Sequence, residues 1–60
     1  MTTRIIIADD HAIIREGLKV LFEKKGMDVV AIAKNGHEAV AFTVKYQPDV
    51  VLMDISMPDL

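Results

Sequence analysis

Two apolar runs in this chain each end at an aspartate. Arg4-Ile5-Ile6-Ile7-Ala8 runs into Asp9-Asp10, and Asp49-Val50-Val51-Leu52-Met53 runs into Asp54. A continuous apolar run of this length reads as a strand buried on both faces, as in a parallel sheet. Open α/β sheets bind ligands outside the carboxyl ends of such strands, at the point where strand order reverses. Three carboxylates gathered there repel one another, by about 4 kcal/mol for two charges ~4 Å apart at an effective dielectric of about 20. Such a cluster makes poor packing. It makes good sense as a cradle for a hard divalent cation.

Sixty residues amount to one small domain or part of one. A chain of this size buries only about 60% of its unfolded surface, so its stability is marginal without help. No disulfide can supply that help, because there is no cysteine, and this fits a reducing compartment. Met1-Thr2-Thr3-Arg4 lacks the basic start and long apolar core of a signal peptide, and no run is long enough to span a bilayer. A soluble, cytoplasmic protein without a membrane partner is expected. The net charge is −2, with no basic run, which argues against nucleic-acid binding by this segment. Lys24-Lys25 reads as the solvated end of a helix. An apolar content of 52% excludes disorder as the main state.

The pattern is strand, helix, strand, helix, strand. The first strand covers Arg4–Ala8. A helix over Ala12–Lys25 sets Ile14, Leu18, Leu21 and Phe22 on one face and Arg15, Lys19 and Glu23 on a wetter one. Gly26 supplies the left-handed residue that commonly ends a helix. Met27–Ala33 is the second strand. Asn35 caps a second helix, with Glu38 at capping-box spacing, and this helix stops before Gln47-Pro48. Asp49–Met53 is the third strand. The expected class is α/β: three parallel strands joined by right-handed crossovers. In the order 2-1-3, one helix lies on each face and Asp9, Asp10 and Asp54 meet at the switch point. The order 1-2-3 would leave a strand between them. The third strand is as apolar as a central one, with no charge or proline to protect an edge, and the chain ends six residues after Asp54. Part of a larger fold is expected.

These residues resemble the amino-terminal half of a bacterial response-regulator receiver domain, a CheY-like, flavodoxin-like unit. The match runs through Asp9-Asp10, then His11-Ala12-Ile13-Ile14-Arg15-Glu16-Gly17-Leu18 in the manner of the NarL/LuxR subfamily, Asn35-Gly36, and Pro48-Asp49-Val50-Val51-Leu52-Met53-Asp54-Ile55-Ser56-Met57-Pro58. The resemblance implies that Asp54 accepts a phosphoryl group from a sensor histidine kinase or a small phosphodonor. It implies Mg²⁺ held by Asp10 directly, by Asp9 mainly through water, by Asp54, and by the backbone carbonyl of Ser56. Mg²⁺ takes about six oxygens near ~2.1 Å and is usually held by one or two carboxylates plus phosphate. A complete receiver has two more strands, which carry a Ser or Thr switch and a phosphate-pairing Lys. Lys19, Lys24, Lys25, Lys34 and Lys45 lie on or before helices and fill no such position. Residues 1–60 are therefore expected to form a single truncated receiver without a DNA-binding domain, impaired in normal signalling.

A second function class is a homodimeric interaction module without phosphoryl chemistry, joined through the third-strand edge or exposed apolar surfaces. An aspartate-based phosphatase is disfavoured, since Ser56 stands where its second acid would be. His11 reads as a polar residue starting the first helix beside the site, rather than a ligand or proton donor. His37 reads as exposed. Met53 reads as core and Met57 as packing under the loop. Asn35-Gly36 reads as a cap and turn, because the spacing of a nucleotide-binding glycine loop is lacking.

Overall fold

A computed structural model describes residues 2–54 as three strands and two helices in alternation: β1 Arg4–Ala8, α1 Ala12–Lys24, β2 Asp28–Ala33, α2 Gly36–Tyr46 and β3 Val50–Met53. The strands form one parallel sheet in the order β2-β1-β3. Residues expected to open β2 and β3, Met27 and Asp49, fall just before the strands, and α1 ends one residue earlier than expected.

β1 is central because it is apolar on both sides. Successive strand residues point to opposite faces, yet Ile5, Ile6, Ile7 and Ala8 are all buried, Ile6 and Ile7 completely. Both faces are therefore covered. Full burial of side chains of this size stabilises the fold by roughly 1.5–3 kcal/mol each. On one face Ala8 packs with Ala33 of β2 and Ala39 of α2, with Phe42 and Met53 around them. Three alanines at this contact let α2 approach the sheet closely. α1 packs on β1 and β2 across the other face. Right-handed crossovers running in opposite directions from a central strand produce this arrangement.

The helix ends follow local chemistry. Asn35 Oδ1 accepts from the Glu38 amide at 2.8 Å, and Glu38 Oε1 accepts from the Lys34 amide at 2.9 Å. The reciprocal bond thus lands one residue before the cap rather than on it. Gly26, at φ 84°, turns the chain out of α1. At the end of α2 the left-handed position falls to Gln47, at φ 48°, and Pro48 follows. Gln47 is held there because its carbonyl accepts from Arg4 Nη1 at 3.0 Å, while the Arg4 amide donates to Asp49 Oδ2 at 2.8 Å.

Two expectations need correction. β3 is not buried on both faces. Val50 and Leu52 pair with Ile5 and Ile7 on the α1 side of the sheet, yet they are 47% and 38% exposed, because α1 sits over β1 and β2. Nor does α1 turn all four of its predicted apolar residues inward. Leu18 and Phe22 are half-buried, whereas Ile14 and Leu21 are exposed. Among the described residues, no helix is long and apolar enough to cross a membrane.

Candidate functional site

The register of β1 and β3 builds the site. Ala8 pairs with Met53, so the next residues along, Asp9 and Asp54, are neighbours in a parallel pair. Their backbones stay on the ladder beyond the strands: the Asp54 amide donates to the Ala8 carbonyl at 2.9 Å, and the Asp9 amide to the Ala33 carbonyl at 3.1 Å. Both carboxylates are thereby fixed to the rigid end of the sheet.

Asp9 then turns the chain into α1. Its Oδ1 accepts from the amide of His11 at 2.9 Å, a side-chain-to-backbone turn that swings the chain off the sheet. Asp9 is buried, Asp10 is exposed at the start of that turn, and Asp54 is half-buried. Arg15, one turn into α1, donates from Nη1 to the Asp9 carbonyl at 2.8 Å. The residue assigned to a wetter helix face instead ties α1 to the acidic turn.

One ligand atom each from Asp9, Asp10, His11 and Asp54 can be chosen so that all lie within 4.8 Å of one another. The three carboxylates named from the sequence are thus together. Ser56 lies outside the described residues, as do Met57 and Pro58. His11 is the member that sequence reasoning set aside. Its Nδ1 lies 2.9 Å from Asp10 Oδ1 and 3.1 Å from Asp9 Oδ1. Its position directly after two aspartates was the available signal. The hydrogen bond to Asp9, followed by the charges of Asp10, Asp9 and Asp54, raises its pKa above the ordinary 6.5. His37 is exposed in the first turn of α2, as expected.

The donor set is chemically selective. Carboxylate oxygens are hard ligands suited to Mg²⁺, Ca²⁺ or Mn²⁺, whereas imidazole favours later transition metals. The His11 ring faces these acids, which raise its pKa. Three carboxylates on one sheet end therefore fit a hard divalent ion.

The comparisons with known proteins agree with this architecture. The family model for the response regulator receiver domain matches residues 5–60. Oxygen regulatory protein NreC of Staphylococcus aureus (strain JH9) is 48% identical over 56 residues, covering 92% of this chain and 26% of that protein. The chain thus spans about a quarter of the length of such curated relatives. Among solved structures, a LuxR-family two-component response regulator from Aurantimonas sp. SI85-9A1 superposes with a TM-score of 0.90 at 42% identity, over 97% of this chain and 42% of that one. The signal receiver domain of the NarL regulator from Mycobacterium tuberculosis gives 0.87 at 33% identity, over 98% and 48%. With sequence match, strand order and superposition in accord, the chain belongs to the response regulator receiver domain family.

Proposed function

We propose that residues 1–60 form the first part of a receiver in a two-component phosphorelay, with Asp54 as the phosphoryl acceptor. Receiver domains generally bind Mg²⁺ at an acidic cluster. Here Asp9, Asp10 and Asp54 would hold the ion, with the Ser56 carbonyl as a further ligand. The observation that carries this reading is the gathering of ligand atoms from Asp9, Asp10 and Asp54 at the ends of adjacent strands.

In the step itself, an Asp54 carboxylate oxygen attacks phosphorus in the phosphohistidine of a sensor kinase, or in acetyl phosphate. A new P–O bond forms, the bond to the imidazole nitrogen or acetate oxygen breaks, and its electron pair leaves with that group. A bound divalent ion supplies charge neutralisation for the transferring phosphoryl, which the acids would otherwise repel. The chain's own part is positioning. The ladder bond at the Asp54 amide fixes the nucleophile, and the turn at Asp9 holds the second acid beside it. This reading places the domain in the cytoplasm, with a sensor kinase as partner and no nucleic acid bound by this segment.

The test is intact mass spectrometry after incubation with Mg²⁺ and acetyl phosphate, beside a complete receiver as control. Addition of one phosphoryl group, lost in Asp54→Asn, supports the reading. No addition while the control is modified counts against it.

A second reading rests on the open flank of the sheet. Val50 and Leu52 are exposed, and among the described residues β3 pairs only with β1. For the sixty-residue chain we infer a homodimer, through the β3 edge or through exposed apolar surface. Sedimentation equilibrium that shows only monomer would contradict it.

A further inference from the structure

Arg15 makes a contact that the start of α1 does not explain. Side chains on a helix lean toward its N-terminus. Arg15, one turn in, therefore reaches back over the entry to α1 and donates from Nη1 to the Asp9 carbonyl at 2.8 Å. A cation is poorly placed there, because the amino end of a helix carries partial positive charge. The first turn of α1 has no acidic residue to offset it, and His11 at the cap makes no side-chain cap bond. What receives the guanidinium is the turn that carries the acids.

The acceptor gives this bond its consequence. Asp9 is held three ways: its amide donates to the Ala33 carbonyl at 3.1 Å, its Oδ1 accepts from the His11 amide at 2.9 Å, and its carbonyl accepts from Arg15. The first bond keeps Asp9 on the sheet. The third acts on the next residue. A peptide unit is planar, so fixing the Asp9 carbonyl also fixes the amide nitrogen of Asp10 and the direction in which its Cα leaves the sheet. Asp10 has the most to gain from this. Asp9 is buried and Asp54 half-buried, whereas Asp10 is exposed in the turn after β1. Even so, Asp10 offers an oxygen within 4.8 Å of ligand atoms of Asp9 and Asp54.

We propose that Arg15 is a positioning residue for the divalent-ion site, holding the Asp9–Asp10 peptide in the orientation that keeps the Asp10 carboxylate beside Asp9 and Asp54. This rests on the reading that the three acids share one ion. Arg15 acts through Asp10, and its charge works in the opposite sense. A guanidinium beside the acids repels a divalent cation, so for a mere counter-charge, removal would tighten metal binding. Positioning gives the reverse sign.

Mg²⁺ titration followed through backbone amide shifts is run on the chain, on Arg15→Met, Arg15→Lys and Asp10→Asn, and on Arg15→Met combined with Asp10→Asn. Arg15→Met keeps an apolar stem and removes the donor. It is expected to weaken Mg²⁺ binding about tenfold, the low end for partners that orient metal ligands. Arg15→Lys restores a charged donor and should recover most of that loss. With Asp10→Asn already in place, Arg15→Met should cost little more, because the two changes break one unit. A role confined to the stability of α1 would lower the urea midpoint and leave the affinity of the folded chain unchanged. Unchanged or tighter binding in folded Arg15→Met, or a full further loss on top of Asp10→Asn, overturns the proposal and leaves the shared site standing. No saturable binding by the parent chain sinks the shared site, and the proposal with it. If Arg15→Met does not fold, the parent chain still decides. Its Arg15 guanidinium protons should exchange slowly and shift on the same Mg²⁺ curve as the Asp10 amide. A guanidinium that exchanges freely and is silent to Mg²⁺ overturns the proposal.

Discussion

The ring Nδ1 of His11 lies 2.9 Å from Asp10 Oδ1, so the residue that opens α1 also faces the acids that end β1. Asp9 reaches the same nitrogen at 3.1 Å. The shared contact holds the imidazole pKa above 6.5, mainly through the hydrogen bond to Asp9 and then the charge of Asp10.

That coupling has a direction in pH. A raised folded-state pKa means the proton binds more tightly to the folded chain. The resulting stability is fully present below the unfolded value of about 6.5 and is lost as pH rises through the higher folded value. In metal-free buffer, NMR titration should give His11 a midpoint above the ordinary 6.5. Asp9→Asn should lower the His11 midpoint and flatten the fall in stability on that limb. A His11 midpoint that Asp9→Asn leaves unchanged would refute the contact.

The core prediction separates burial from mere hydrophobicity. Ile6→Ala removes a fully buried side chain and should cost about 2–5 kcal/mol, enough to unfold a domain this small. Val44→Ala, at a position 72% exposed, should stay within about 0.5 kcal/mol. Urea unfolding followed by circular dichroism reads both.

Gln47 offers a stabilising change. It occupies the left-handed region at φ 48°, where a side chain costs roughly 1–2 kcal/mol and glycine does not. The contact from Arg4 is to the Gln47 carbonyl, which glycine keeps. Gln47→Gly should therefore raise the urea midpoint. An unchanged or lower midpoint would mean that the side chain contributes more than its backbone costs.

Much of the fold was readable because local and global signals coincide in it. The order β2-β1-β3 was readable because, of the two orders weighed, it alone sets Asp9, Asp10 and Asp54 side by side, and they do meet. Asn35 and Glu38 announced the start of α2. What escaped depends on coverage by distant elements. Periodicity finds the apolar arc of α1 but not which part the sheet hides, so Ile14 and Leu21 were misplaced. An apolar run does not reveal that α1 stops short of β3. The register shift between Ile5 and Ile6, where β2 inserts Val30, leaves no local mark. Arg15 was read by helix face alone, yet its long side chain reaches the Asp9 carbonyl.

Mg²⁺ titration followed through the backbone amides tests the shared acidic site most directly. Amides of Ala8 to His11 and of Asp54 should shift together along one saturation curve, and both Asp10→Asn and Asp54→Asn should weaken it severalfold or more. Independent curves for the two strand ends, or an affinity untouched by Asp54→Asn, would show that these acids do not hold one ion between them.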